Sequence, residues 1–245
     1  MPEIKVSIVS YLNSKPFVYG LKHAALIKDI LLSEDIPSDC ARKLIEEEVQ
    51  LGLVPATVIP LVPNARIIAD YCIGAVGEVD SVFVFSNQPV DELHTIYLDR
   101  HSRTSNNLAR VLARHYWKVS PEFKTRTEDF IELKAGEGMV LIGDRTFGQK
   151  GKYAYVYDLS GEWMKLTGLP FVFAAWVANT DLPSSFITSF NEALKDGLDH
   201  RQEVISFEKR ADFDVADYLL HKLDYTLDAE KRKGLELYLL YCASL

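Results

Sequence analysis

Cysteine is scarce in this chain: Cys40, Cys72 and Cys242 are three in 245 residues, an odd number without paired spacing. That argues against a disulfide framework, and with no nearby His pattern it argues against a zinc site. Reduced thiols in a cytoplasmic protein are the expectation. No apolar run reaches the roughly eighteen residues needed to cross a bilayer. The opening residues, MPEIKVSIVSYLNSKP, lack a basic leader followed by an apolar core, so no secretory signal is expected. Positive charge is also in deficit, with 27 Lys and Arg against 35 Asp and Glu and a net charge of −8. Nucleic acids and anionic membranes both require a basic face, so neither is expected as a partner. The patterns G-x-x-x-x-G-K-[ST] and G-x-G-x-x-G are absent, so neither a nucleoside triphosphate nor a dinucleotide is implied. An anionic small molecule would have to be held by a local device and not by the overall field.

What is present is a chain 48% apolar, enough for a real core, and of a length that suits one domain or two modest lobes. Ile4–Val9 alternates polar and apolar residues before turning apolar, as a first strand entering a sheet does. It runs into Ser10-Tyr11-Leu12-Asn13-Ser14-Lys15-Pro16, where Pro16 suits the first turn of a helix. Asn13 thus falls at the carboxyl end of a strand, the edge at which open α/β sheets bind ligands, although a turn or cap also uses asparagine. A helix with Ser38 as its cap is expected after Ile36. Gln50–Ala56 reads as a short buried strand broken by Pro55, Asp70–Gly77 shows little periodicity, and Ser81–Ser86 is a strong strand. Further strands are predicted at Met139–Ile142, ending in Gly143-Asp144-Arg145, at Tyr153–Tyr157 and at Phe171–Val177. A short helical piece is predicted near Thr127–Leu133 and a helical turn at Glu162–Leu166; from Pro183 onward the pattern is helical throughout.

The stretch that organises the rest is TIYLDRHSRTSNNLARVLARHYW, Thr95–Trp117. Ile96-Tyr97-Leu98 has strand character, Ser102-Arg103-Thr104-Ser105 is a polar turn, and Leu108, Val111 and Leu112 have the spacing of a helix with one apolar face. Hydroxyls at a helix start either cap the free N–H groups themselves or leave them to a bound anion. Arg103 inside the turn favours the anion, because capping has no need of a guanidinium.

This order predicts an α/β fold of two lobes with a cleft between them. One lobe is residues 1–87 plus 175–245 and the other 88–174, with the strands near Ser81 and Phe171 crossing between them as a double hinge. Asn13, Pro55, Ala56, Ser81, the Ser102–Ser105 turn, Gly143 and Asp144 are expected around the cleft.

The segments VSYLNSKPFVYGL, IPSDCARKL, LGLVPATVIP, YCIGAVGEVDSVFVFS, LDRHSRTSNNLARVL, LIGD and LTGLPFVFAAWVA together resemble the chorismate dehydratases of menaquinone biosynthesis, the first enzymes of the futalosine route. The likeness covers the chain up to about Thr180 and, more weakly, the helical tail. It implies a two-lobed periplasmic-binding-protein-like fold of type II, turned to catalysis without metal or organic cofactor. It implies a small dicarboxylate, chorismate, as substrate of a cytoplasmic monomer or homodimer. Asn13 and Ser81 match the family positions beside the reacting atoms. Asn13 would hold a carboxylate or the departing hydroxyl. Ser81 would hydrogen-bond the substrate or help proton transfer. Ser102, Arg103, Thr104 and Ser105 would hold a substrate carboxylate. No general base is evident: His101 adjoins the turn, Asp144 would repel a dianion, and the substrate's own enolpyruvyl carboxylate could take the proton instead. Two other readings share the fold, a cytoplasmic small-anion-binding protein and the enzyme that processes cyclic dehypoxanthinyl futalosine.

Overall fold

A computed structural model describes residues 3–128, 131–208, 210–211 and 213–245. Two sheets carry the architecture. The first contains β1 (Ile4–Val9), β2 (Ile30–Asp35), β3 (Leu51–Pro55) and β4 (Arg66–Ala75). The second contains β5 (Val82–Ser86), β6 (Thr95–Leu98), β7 (Glu122–Thr125), β8 (Glu137–Ile142) and β9 (Tyr155–Asp158). The chain then returns to the first sheet with β10 (Phe171–Ala178) and, near the end, β11 (Asp224–Thr226). The sheet orders are β11-β4-β10-β3-β1-β2 and β7-β6-β8-β5-β9. In the first, β1 is parallel to β2 and β3, and β10 runs antiparallel between β3 and β4.

Sheet membership moves the expected boundaries. β5 bonds only to β8 and β9 among the described strands, so it belongs to the second sheet and not to the first lobe of 1–87. β10 is wholly within the first sheet. The chain therefore crosses between sheets in two short connections, after Ala75 and before Phe171, rather than along the two strands themselves. Strand β4 occupies the stretch that lacks periodicity, because Cys72, Ile73, Gly74 and Ala75 are all buried and no alternation is required. The C-terminal region is not wholly helical either, since β11 adds an edge to β4. Of the helical piece expected near Thr127–Leu133, Asp129 and Phe130 lie outside the described residues, and the flanking ones are irregular.

Helices cover the sheets: α1 (Lys15–His23), α2 (Pro37–Ile45), α3 (Arg103–Leu112), α4 (Leu159–Thr167), α5 (Ser184–Asp199), α6 (Arg201–Phe207), the single turn α7 (Val215–Asp217) and α8 (Ala229–Cys242). Pro16 lies in the first turn of α1 as its fixed φ allows. Helix α2 starts after Ile36 with no side-chain cap, so Ser38 does not serve as one; Pro37, which needs no N–H partner, begins it instead. Gly20 of α1 and Gly197 of α5 sit where an added Cβ would strike the facing helix backbone, which lets the two helices touch. Helix α8 joins the two sheets. Tyr238 is fully buried, its ring meets Phe171 of β10 edge-on at 4.9 Å, and its hydroxyl donates to the Thr104 carbonyl at 2.8 Å. Among the described residues no helix is long and apolar enough to cross a membrane.

Candidate active site

The carboxyl ends of β1, β3, β6 and β8 converge on a cleft with about 630 Å³ of space, part of it open to solvent. Much of the wall is apolar, with Val9, Ile73, Val79, Ile142 and Phe173 among its side chains. Its polar groups come from Tyr11, Asn13, Ser81, His101, Ser102, Thr104 and Ser105, all neutral hydroxyls or amides apart from one imidazole.

One wall is the start of α3. The Ser102 hydroxyl accepts from the Ser105 N–H at 3.1 Å and so caps the helix, and it donates to the Ser105 hydroxyl at 2.9 Å. Thr104 is 2% exposed; its hydroxyl lies 3.2 Å from that of Thr57 and also accepts, at 3.4 Å, from the Thr57 N–H. Among the described residues no hydrogen bond takes the N–H groups of Arg103 and Thr104, which are the first two of the helix. Side-chain capping and open amides thus coexist in one turn, which sequence reasoning had posed as alternatives. The loop before it is fixed by Asp99, which is fully buried. Its carboxylate accepts from the His101 N–H at 2.8 Å, from Arg126 at 3.0 Å and from Arg145 at 2.7 and 2.9 Å. Asn106 clamps the Asp99 backbone in both directions, donating to its carbonyl at 2.7 Å and accepting from its N–H at 2.9 Å.

The facing wall is built from Asn13 and Ser81. Asn13 sits in the turn between β1 and α1; its carbonyl accepts from Tyr225 at 3.0 Å, whereas its side-chain Oδ1 is buried and unpartnered among the described residues. Ser81 is 2% exposed at the end of the connection into β5. Its hydroxyl accepts from Tyr218 at 2.9 Å and its carbonyl from the Gly143 N–H at 2.7 Å. Gly143 has φ +64°, a value that disfavours any side chain bearing Cβ, and so turns the chain out of β8 at the cleft. Tyr11 lies beside both walls. Burial raises its phenol above the usual tyrosine range, while the nearby Arg145 guanidinium opposes the shift.

The structure therefore gathers Asn13, Ser81, Ser102, Thr104, Ser105, Pro55 and Gly143 around one cleft. Three expected residues stand elsewhere. Ala56 is fully buried in the core, because the chain turns inward directly after Pro55. Arg103 is exposed and lines a neighbouring groove with Arg100, His101 and Pro37. Asp144 faces away from the cleft wall, accepting from Arg210 at 2.9 Å and from the Leu12 N–H at 3.4 Å. His101 reaches the cleft, but its Nε2 accepts from Arg100 at 2.9 Å, which occupies the lone pair a base would use. Sequence reasoning missed Tyr11, Thr57, Asp99 and Tyr218. Tyr11 alone carried a local signal, standing two residues before Asn13 in the same turn. Burial pushes the thiols of Cys40 and Cys72 up to about 12, so neither is a nucleophile at neutral pH. Among the described residues no group of His, Cys, Asp or Glu has the arrangement of a metal site.

Two sheets with a cleft between them and strand order β2-β1-β3-β10-β4 define a periplasmic-binding-protein-like fold. Solved structures agree: a Candida albicans protein described as having the generic periplasmic binding protein fold is similar at TM-score 0.63 and 13% identity, covering 97% of this chain and 90% of that one. A protein from Archaeoglobus fulgidus is similar at TM-score 0.72 and 16% identity over 99% of this chain and 97% of that one. The Escherichia coli periplasmic aliphatic sulphonate binding protein is similar at TM-score 0.58 and 16% identity over 97% and 92%. The chain belongs to the menaquinone biosynthesis family, whose model matches residues 4–244. A chorismate dehydratase of Thermus thermophilus is 26% identical over 229 residues, covering 80% of this chain and 83% of that protein.

Proposed function

We propose that the protein is a chorismate dehydratase, a hydro-lyase that converts chorismate to 3-[(1-carboxyvinyl)oxy]benzoate and water in menaquinone biosynthesis. One observation carries the reading within this family: a largely apolar cleft whose polar groups are mostly uncharged hydroxyls and an amide able to donate hydrogen bonds, with the open start of α3 at one wall. In a chain of net charge −8, such a lining suits a flat ring bearing carboxylates. The name of the Thermus thermophilus relative supports the same substrate.

In this reading one carboxylate sits on the N–H groups of Arg103 and Thr104. The helix dipole adds only about 0.3–1 kcal/mol at an exposed site, so hydrogen bonds within the cleft contribute most. The hydrogen lost is on the ether-bearing carbon, conjugated to the ring carboxylate, and charge grows on that carboxylate as the hydrogen leaves. The enolpyruvyl carboxylate of the substrate takes the proton, the C–H electron pair completes the aromatic ring, and the C–O bond breaks with its pair on oxygen. That oxygen collects the proton and departs as water. Support for the substrate as its own base comes from the wall itself: the one imidazole there already accepts a hydrogen bond. Asn13 and Ser81 would contact the departing hydroxyl or a carboxylate. The free thiols Cys40, Cys72 and Cys242 support a reducing, cytoplasmic setting.

The test is to mix purified protein with chorismate and follow the ultraviolet spectrum. Loss of the cyclohexadiene band with growth of a benzoate band is the expected result. An unchanged spectrum alongside calorimetric binding of chorismate would make the protein a binding module instead.

A further inference from the structure

Tyr218 lies behind the cleft wall and touches the cleft only through other residues. It opens a π-helical turn, Tyr218–Lys222, that follows α7, and its side chain is 2% exposed. Its hydroxyl donates to the Ser81 hydroxyl oxygen at 2.9 Å. The ring is wedged edge-on against Phe147 and Phe213, with centroids 5.8 and 5.3 Å away, so the phenol cannot swing aside without breaking that packing. A serine hydroxyl has one hydrogen to give. When a neighbour fills its oxygen from behind, that hydrogen is left for whatever stands in front, and in front of Ser81 is the cleft.

We propose that Tyr218 is a positioning residue that orients the Ser81 hydroxyl as a donor into the cleft, toward the oxygen that leaves the substrate. This role rests on the dehydratase reading. No proton passes through the tyrosine: the phenol keeps its hydrogen throughout, and burial raises its pKa well away from neutrality, which keeps it a donor across the working range.

The experiment is a double-mutant cycle in kcat and KM for chorismate, using wild type, Tyr218→Phe, Ser81→Ala and the double variant. Tyr218→Phe removes one hydroxyl and leaves the ring packing in place. It is expected to lower kcat about tenfold with KM changed less than about threefold. In the Ser81→Ala background the same substitution is expected to change kcat by less than about twofold, because the oriented group is already gone. A full and equal loss in both backgrounds, or a fall in thermal midpoint with unchanged kcat, would show a structural tyrosine and overturn the role. If wild type leaves chorismate intact, the dehydratase reading fails and this role falls with it; an active wild type with additive losses sinks this role alone.

Discussion

The two walls of the cleft present hydrogen bonds in different ways. At the start of α3 the side chains are satisfied by each other and by the core: Ser102 caps the helix and bonds the Ser105 hydroxyl, and the Thr104 hydroxyl meets Thr57, leaving two backbone amides open among the described residues. Across the cleft the side chains hold the unused capacity, in the Oδ1 of Asn13, unpartnered among the described residues, and the hydroxyl of Ser81, which accepts from Tyr218 and has its own hydrogen still to give. Backbone groups buttressed by a buried ionic cluster cannot adapt as a reaction proceeds, which suits holding a charge that persists. Short polar side chains on the opposite wall suit an oxygen whose bonding changes. Binding and bond-breaking are thus assigned to opposite walls, and substitutions should separate them.

The largest expected effect is at Asp99. Asp99→Ala removes the buried carboxylate that Arg126 and Arg145 share, and loss of one partner of such a buried pair costs about 3–5 kcal/mol. Chemical denaturation should show that loss, and chorismate affinity should fall with it. Asn13→Ala should leave the denaturation midpoint almost unchanged and lower kcat by a factor equivalent to roughly 3 kcal/mol, with KM little altered. Retention of near-normal turnover would remove Asn13 from the chemistry. Ser102→Ala should behave in the opposite sense, costing about 1 kcal/mol of stability for a lost cap and raising KM more than it lowers kcat. An equal effect of both substitutions on kcat and KM would erase the distinction between the walls. The smallest effect expected is in the pH profile. Burial holds the phenols of Tyr11 and Tyr218 above the ordinary tyrosine range, so both remain protonated below about pH 10. Their contribution to kcat and to stability is therefore fully present at neutral pH and declines only above pH 10. With the His101 lone pair occupied, kcat should be nearly flat from pH 7 to 9, and His101→Asn should change it only a few-fold; a steep limb lost in His101→Asn would restore the histidine as a base.

The legible parts of this molecule were those whose order is local. The strand, turn and helix of Thr95–Trp117 could be read because β6, the Ser102 cap and the apolar face of α3 follow one another within a few turns. The Pro16 start of α1 was legible for the same reason. Strand β2 and strand β4 were not, since neither shows the alternation of a half-buried strand; β4 is buried on both faces at its end. The placement of β5 in the second sheet depends on pairing with Met139 and Val140, more than fifty residues away, and its own sequence says only that it is a strand. In the site, Asn13, Ser81 and the α3 turn were marked by a family pattern, but Tyr218 reads locally as one more apolar-face residue of a helix. Its contact with Ser81 spans 137 residues of sequence. Asp99 was likewise passed over as the end of a strand, because its two arginines arrive from the residue after β7 and from the turn after β8.

The most direct measurement is a crystal structure of the protein with its aromatic product bound. The account predicts one carboxylate within hydrogen-bond distance, about 2.7–3.2 Å, of the Arg103 and Thr104 amide nitrogens, and the carbon that lost its hydroxyl facing Asn13 and Ser81. A product whose acid groups both lie away from the start of α3, or whose reacting edge faces that helix, would contradict it.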